Sequence, residues 1–199
     1  MNKTLLVTAF EPFGGETVNA SLAAVSALPE RIGDWEIRKL TIPVVFGKGA
    51  RAVMEFAEHT PVDAVLCIGQ AAGRSAVTPE MLAINLQYAT IPDNEGNCPK
   101  DEPIEGGERG REAIFSTMPI RRMAEAVKRT GIPCEVSYSA GTYVCNDTYY
   151  RLLSFFEGTP VKVGFIHLPV TPQQGAASLE TERAIGALEI AIREIASDL

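Results

Sequence analysis

The sequence predicts an α/β fold: three layers, α/β/α, with a mostly parallel (mixed) central sheet, in a single domain that spans residues 1–199. Apolar runs of strand length alternate with stretches of helical periodicity, the order that builds a parallel sheet with helices on both faces. No linker-like stretch, internal repeat or low-complexity tract interrupts the chain. Hydrophobic residues make up 46% of the sequence, which is enough to fill one sizeable core.

The first half of the chain supplies three strands and two helices. Residues 62–68, VDAVLCI, are almost continuously apolar, which is typical of a central strand buried on both faces. Asn19 or Ser21 is placed to cap the first helix. From the two periodicities, the predicted strands are 4–10, 35–42 and 62–68, and the predicted helices are 19–28 and 47–59.

The second half repeats this alternation around one long excursion. Residues 89–112 are rich in proline, glycine and charge, and an irregular segment of that length inside a compact domain is usually functional. Pro119 and Gly131 bracket one helical pattern, and Thr171-Pro172-Gln173-Gln174 resembles a capping box with proline at the first helical position. The predicted strands are 81–88, 134–139 and 161–168, and the predicted helices are 119–130, 144–156 and 179–197.

Charge and hydropathy narrow the function classes. The net charge of −7, from 25 acidic and 18 basic residues, argues against a surface for nucleic acid or for an anionic membrane. The apolar N-terminal run is interrupted at Glu11, too early for a signal peptide, and no apolar run approaches the ~20 residues of a membrane span. These features predict a cytoplasmic protein.

The four cysteines fit neither a zinc pattern nor a CxxC redox motif, so we expect free thiols in a reducing compartment, with Cys98 in a polar loop where it can be exposed. Cys67 and Cys134 fall in predicted strands, whereas Cys145 follows the predicted strand 134–139 by a short turn and opens the next helix. Unpaired N–H groups and the helix dipole favour a thiolate there, the nucleophilic form, and can hold an oxyanion. The alternative is a small buried hydrophobe at a helix start.

The chain has two histidines, and they differ in position. His167 ends the strand GFIHLP, at the carboxyl edge where the sites of open α/β sheets gather, so it is the candidate general base; a satisfied core histidine is the alternative. His59 fits better as a cap of a helix C-terminus. A catalytic imidazole needs an orienting carboxylate or amide. Spacing does not choose between the acidic candidates, which are Glu80, Asp93, Glu95 and Asp147.

Two aromatic residues follow the first predicted strand closely. Phe10 and Phe13 are placed to stack on both sides of a flat ligand, although core packing of Phe10 and a loop anchor at Phe13 are the alternatives. The adjoining FGG, residues 13–15, lacks both GxGxxG and GxxxxGK[ST], so it is a weak signal for a phosphate-binding loop.

Five sequence blocks closely resemble the pyrrolidone-carboxyl peptidases, also called type I pyroglutamyl peptidases. They occur in that family's order and spacing and extend the resemblance over essentially the whole chain, with SAGTYVCN and TPE…AIN as the most specific parts. The blocks are TAFEPFGGETVN (8–19), GQAAGRSAVTPEMLAIN (69–85), IPDNEGN (91–97), SAGTYVCNDTYY (139–150) and GFIHLP (164–169).

The resemblance implies a cytosolic, cofactor-free and metal-free cysteine peptidase, typically a homotetramer, that removes an N-terminal pyroglutamyl residue from peptides. It implies Cys145 as nucleophile, His167 as general base and acid, and Glu80 as the orienting carboxylate. It also implies a pocket for the lactam ring, with the backbone of Gln70 at the ring amide and a lining of Phe10, Phe13, Tyr143 and Val144.

Two positions depart from the family pattern. Thr90 stands in ATIPDN where family members often have arginine, and Asp147 stands where many have histidine, so we do not expect Asp147 to be catalytic. Two other classes of function remain as alternatives. A nucleoside phosphorylase-like enzyme on a related fold would need phosphate and no essential thiol, and a non-catalytic small-ligand binding protein would leave Cys145 unreactive.

Overall fold

The computed structural model describes residues 3–105 and 111–196, which are organised around a six-stranded sheet. The strands are β1 (Lys3–Phe10), β2 (Arg31–Ile32), β3 (Trp35–Ile42), β4 (Ala64–Gln70), β5 (Thr78–Pro79), β6 (Leu82–Ile84), β7 (Ala113–Phe115) and β8 (Lys162–Leu168). The sheet has the order β2-β3-β1-β4-β8-β5, and β6 pairs separately with β7.

The four central strands run parallel, and only the two short edge strands are antiparallel. The register places Leu5 opposite Ala64 and Ala64 opposite Lys162, so β1, β4 and β8 end near one another at the same edge. This confirms the predicted mixed, mostly parallel sheet. It also sets the edge at which a site is expected.

Helices cover both faces of the sheet. They are α1 (Ala20–Ala27), α2 (Lys48–His59), α3 (Ile120–Arg129), α4 (Val144–Phe155) and α5 (Thr181–Ala196). Alternate residues of β1 separate the two cores, because successive strand side chains point to opposite faces. Leu5 and Val7 pack in the core with residues of α1, α3 and α5, whereas Leu6 and Phe10 pack in the core with residues of α2 and α4. The three predicted layers are therefore confirmed.

The helix ends follow the predicted signals. Asn19 caps α1: its side-chain oxygen accepts the Ser21 N–H at 2.9 Å, and its amide donates to the Glu11 carbonyl at 3.1 Å. Pro119 precedes the first residue of α3, and Gly131 follows its end with φ of +81°. That left-handed conformation strains any residue with a Cβ, which accounts for glycine there.

The prediction of a strand at 134–139 was wrong. This segment runs parallel to residues 77–81 but forms only two isolated bridges, Val77 with Cys134 and Glu80 with Ser137. One hydrogen bond of this pairing is missing. On either side of it, the Glu135 N–H donates to the Val77 carbonyl and the Ser137 N–H donates to the Pro79 carbonyl. Proline has no N–H to donate across the pair, so the ladder is broken where Pro79 sits.

Two further predictions differ from the structure. Of the predicted strand 81–88, only Leu82–Ile84 is a strand, because the Leu86 N–H turns back to the Ile84 carbonyl. Residues 171–174 form a turn and no helix, although the Gln174 side chain accepts the Thr171 N–H at 3.1 Å as in a capping box. Gln174 N–H bonds back to the Thr171 carbonyl, which closes that turn.

The predicted excursion at 89–112 is irregular over its described residues, and 106–110 lie outside them. Buried Asp93 organises its first part by accepting the N–H groups of Phe46, Glu95 and Asn97. Burial alone would raise the pKa of Asp93, but the hydrogen bonds, first that of the Asn97 side chain, outweigh it and lower the pKa below 3.8. The first part of the excursion is thus organised around one carboxylate.

None of the helices in the described ranges, 3–105 and 111–196, combines the length and the apolarity needed to cross a membrane.

Asp93→Asn should loosen the excursion, because the amide replaces charge-assisted hydrogen bonds with weaker neutral ones. We expect a loss of about 1.5–3 kcal/mol of unfolding free energy at pH 7. The folded pKa of Asp93 is depressed, so its stabilisation is present above the unfolded value and is lost as pH falls through the folded pKa. Chemical denaturation of both proteins between pH 7 and pH 2 measures this. A stability difference that stays constant as the pH falls would contradict the assignment.

Candidate active site

Three predicted side chains meet at the carboxyl edge of the sheet. Cys145 is the second residue of α4, His167 is the penultimate residue of β8, and Glu80 directly follows β5. Cys145 and His167 line the same cavity, which has a volume of about 130 Å³. Glu80 lies behind His167, fully buried.

The edge strand β5 positions Glu80. It runs antiparallel to β8 with Thr78 opposite His167, and the Glu80 N–H donates to the Phe165 carbonyl at 2.9 Å. This register leaves 2.7 Å between Glu80 Oε1 and His167 Nδ1. A carboxylate at Nδ1 fixes that nitrogen as the donor and leaves Nε2 free to accept a proton.

The acids that spacing left open have other partners. Asp93 holds the excursion, and Glu95 pairs with exposed Lys48 at 2.6 Å. Asp147 is fully buried but accepts from the Gly47 N–H, the Gln87 amide and Arg151. The bond from Gly47 ties α4 to the start of α2. Of these four acids, Glu80 is the one bonded to the imidazole.

The helix start was expected to favour a thiolate at Cys145, and the burial of the sulfur works against this. Burial, then the Glu80 carboxylate and the nearby Cys67 thiol, raise the pKa of Cys145 to about 12, against a smaller lowering by Arg74. The predicted influence of the helix N-terminus is present, since no side chain caps α4 at Tyr143. Desolvation of the charged sulfur is the larger effect.

His167 is neutral at neutral pH for a related reason. Its burial lowers the pKa below 6.5, and this outweighs the hydrogen bond and the charge of Glu80, which raise it. The resting pair is therefore a protonated thiol beside a neutral imidazole. In that state the imidazole can act as a base at the moment the sulfur attacks.

The cavity is lined by every pocket residue that the sequence predicted. Phe10 is almost fully buried and packs on Phe165, whereas Phe13 is half-buried, with its ring 6.2 Å from that of Tyr143. Three further lining residues were missed, Asn19, Val44 and Ala140. The sequence marks Asn19 as a helix cap and gives no sign that this residue also lines the cavity. Val44 and Ala140 carry no signal that distinguishes them from core residues.

Gln70 contributes through two different groups. Its side-chain oxygen accepts the N–H of Ala20 at 2.6 Å, so the side chain holds the start of α1. The residue also lines the cavity at the end of β4. The side chain is therefore structural, and the backbone remains the part that a ligand would use.

Larger clefts lie elsewhere on the surface and lack the reactive groups. One of about 860 Å³ lies beside β3, and another of about 580 Å³ runs between α2 and the excursion. Neither is lined by Cys145 or His167. Thr90 is exposed, on a segment whose neighbours Tyr88 and Pro92 bond to Thr142 and Tyr143 beside the cavity.

Comparisons with known proteins agree along the whole chain. Residues 3–198 match the family model for pyroglutamyl peptidase. The pyrrolidone-carboxylate peptidase of Streptococcus suis strain 05ZYH33 is 46% identical over 199 residues, covering 96% of this chain and 91% of that protein. The corresponding protein of Staphylococcus carnosus is 42% identical over 202 residues, covering 98% and 93%.

Solved structures give the same result. The crystal structure of pyroglutamyl peptidase I from Bacillus amyloliquefaciens is similar with a TM-score of 0.94 at 41% identity, over 98% of this chain and 96% of that one. The pyrrolidone carboxyl peptidase of Thermococcus litoralis gives 0.91 at 34% identity, over 98% and 94%.

Gly69→Ala tests whether close packing sets the imidazole. An added Cβ would lie 2.9 Å from His167 Cδ2 and from two atoms of the Phe165 ring, and both residues are too buried to move freely. We expect a loss of about 1–3 kcal/mol of stability from overpacking, together with a fall in the reactivity of Cys145. Thermal unfolding and alkylation rates measure the two effects.

Gly175→Ala is the matched control, because its Cβ would meet only Val170 at an ordinary 3.6 Å. If Gly69→Ala leaves Cys145 as reactive as the control does, His167 does not depend on this contact.

Proposed function

The chain belongs to the pyroglutamyl peptidase family, and on that premise we propose that it is a cysteine exopeptidase that hydrolyses the bond after an N-terminal pyroglutamyl residue of peptides. One observation carries the proposal. A thiol and an imidazole, with a carboxylate 2.7 Å from its far nitrogen, face a cavity of about 130 Å³, small enough for a single ring.

The reaction begins with proton transfer inside the cavity. Nε2 of His167 takes the proton from Cys145 as the sulfur attacks the carbonyl carbon of the pyroglutamyl residue. The carboxylate of Glu80 stabilises the imidazolium that forms. His167 then gives the proton to the leaving amine as the C–N bond breaks, which leaves a thioester. Water attacks the thioester with His167 as base, releasing pyroglutamate and the thiol.

The start of α4 supports stabilisation of the oxyanion. Its N-cap residue Tyr143 makes no side-chain capping bond, so the first N–H groups of the helix are not taken by a cap. Preorganised backbone donors of this kind are effective where charge develops in the transition state. Thr90 has no cationic side chain, so we assign the oxyanion to the backbone at Cys145 and the helix dipole.

The cavity's chemistry supports a neutral, ring-shaped group. Its walls are mainly aromatic and aliphatic, and the described residues that line it include no aspartate or glutamate. A free α-amino group would lack a counter-charge there, whereas a lactam needs only hydrogen bonds. Proline lacks the ring carbonyl, so the groups that bind this carbonyl would be left unpaired. The pocket should therefore reject proline.

The relatives give no support to the two alternatives, a phosphorylase-like enzyme and a non-catalytic binding protein. A cytoplasmic location and a homotetrameric assembly, both implied by the resemblance, stay part of the proposal. Multi-angle light scattering of the purified protein tests the assembly.

Cys145→Ser should abolish hydrolysis of a pyroglutamyl fluorogenic amide, because a hydroxyl is far harder to deprotonate than a thiol. The wild type should be active without phosphate and should lose activity with iodoacetamide. Cys98→Ser is the control, since it removes an exposed thiol outside the cavity lining and should keep full activity.

Two outcomes would count against the proposal. An inactive wild type would reject the activity, and an active Cys145→Ser would reject the nucleophile.

Phe13→Ala and Phe10→Ala should separate binding from folding. Phe13 is half-buried at the cavity, so its loss should raise KM several-fold, the scale of about 0.5–1.5 kcal/mol for one aromatic contact. Phe10 is 2% exposed and belongs to a core, so its truncation should cost about 3–5 kcal/mol of stability. An unchanged KM beside a large fall in the melting temperature of Phe13→Ala would remove Phe13 from the pocket.

A further inference from the structure

Arg74 makes three contacts with the groups that carry and position the proposed triad. It lies in the loop between β4 and β5, and its side chain is 30% exposed. Nη1 donates to Glu80 Oε1 at 2.6 Å and to the Thr78 hydroxyl at 2.5 Å. Nη2 donates to the Ser139 carbonyl at 3.0 Å. One guanidinium therefore joins β5, the orienting carboxylate and the turn that precedes α4.

The carboxylate of Glu80 needs this contact. Glu80 is fully buried, its Oε2 has no hydrogen-bond partner among the described residues, and Oε1 accepts from both Arg74 and His167. A buried carboxylate is costly unless it is paired with a charge and hydrogen-bonded. His167 is neutral at rest, so the guanidinium supplies the positive charge at Glu80.

The bond to Ser139 connects the same guanidinium to the nucleophile. Residues 137–139 run beside 79–81, where Ser137 N–H bonds to Pro79 and Met81 N–H bonds to Ser137. The chain then turns through Gly141, with φ of +80°, into α4 and Cys145. Arg74 thus braces both partners of the thiol–imidazole pair, one through Glu80 and one through the turn.

We propose that Arg74 is a positioning residue of this enzyme, which compensates the buried Glu80 carboxylate and holds the Ser139 turn so that His167 and Cys145 keep their alignment. The inference rests on the proposed peptidase function. It assigns a role to a side chain that does not line the cavity, and none of the chemical steps described above requires it to touch substrate.

The charge of Arg74 also acts on the proton transfer. The titratable groups facing Glu80, His167 and Cys145 are Arg74 in the loop, Cys67 on β4, Tyr143 at the N-cap of α4 and Tyr149 on α4. Arg74 lowers the pKa of both His167 and Cys145, the first by repelling the imidazolium and the second by attracting the thiolate. Without it His167 protonates at higher pH, so the acidic limb of activity moves upward, and the thiol is deprotonated less readily.

The test uses Arg74→Met, which keeps the aliphatic stem and removes the charge. We expect kcat to fall roughly tenfold to a hundredfold with KM little changed. This is the scale of loss when a residue that orients a metal-binding side chain is replaced, and the positioning role here is analogous. The acidic limb of kcat/KM should shift to higher pH. Arg38→Met is the matched control, since it removes an exposed arginine that pairs with Glu36 on β3.

A second readout is independent of peptidase activity. In a Cys98→Ser background, iodoacetamide modification of Cys145 is followed by mass spectrometry across pH, and Arg74→Met should slow it. If the wild type cleaves no pyroglutamyl amide, the proposed function fails, while this alkylation profile still decides the role of Arg74.

Two comparisons separate positioning from a merely structural role. In a Glu80→Gln background, Arg74→Met should cost less than it does in the wild type, because the carboxylate it compensates is gone and only the bond to Ser139 remains to be lost. Arg74→Lys keeps the charge, so its acidic limb should stay near that of the wild type, while kcat falls because one ammonium cannot bridge Glu80 and Ser139.

Three results would overturn the inference. The first is that the kcat losses of Glu80→Gln and Arg74→Met multiply in the double variant. The second is that Arg74→Met changes the melting temperature and nothing else. The third is that the acidic limb of Arg74→Lys shifts as far as that of Arg74→Met. If Arg74→Met does not fold, the lysine variant decides by the same measurements.

Discussion

The hydrogen bond between Glu80 and His167 is the interaction on which the site depends. A carboxylate with no exposure to solvent is stable only where the fold supplies a compensating charge and donors. Here the antiparallel edge strand β5 brings Glu80 against β8, and the guanidinium of Arg74 approaches from the adjoining loop. The imidazole consequently has one available orientation and one available basic nitrogen, and the cavity forms around it.

The described residues that line the cavity are mostly apolar and include no aspartate or glutamate. Aromatic and aliphatic side chains from β1, the segment after β3 and the start of α4 enclose a volume of about 130 Å³. The polar side chains on this lining include Asn19 and Gln70, and both are held in place by hydrogen bonds at the start of α1. A rigid, mostly uncharged pocket of this kind suits a blocked peptide terminus better than a charged one.

Much of the fold could be predicted from the sequence because strand and helix periods, proline and glycine act locally. The apolar run of β4, the cap at Asn19 and the stop at Gly131 are examples in which local signals were enough. The segment 134–139 was misjudged because the missing N–H belongs to Pro79 on another part of the chain. Spacing alone did not choose Glu80 among four acids, because short-range patterns do not carry the β5–β8 register, and only the family resemblance selected it.

The charge state of Cys145 shows a second kind of limit. The position of Cys145 at a helix start can be predicted from the sequence. The burial that raises its pKa, however, arises from side chains of several elements. The pKa shift of a side chain is the sum of contributions from all the groups around it in the folded protein. Its direction can therefore be misjudged when one contribution is considered alone.

The burial of Cys145 also bears on how its sulfur would meet oxidants. Peroxides react with thiolates much faster than with thiols, and they need access to the sulfur. Burial raises the pKa of Cys145, and its sulfur faces a small cavity, so both conditions work against oxidation at this position.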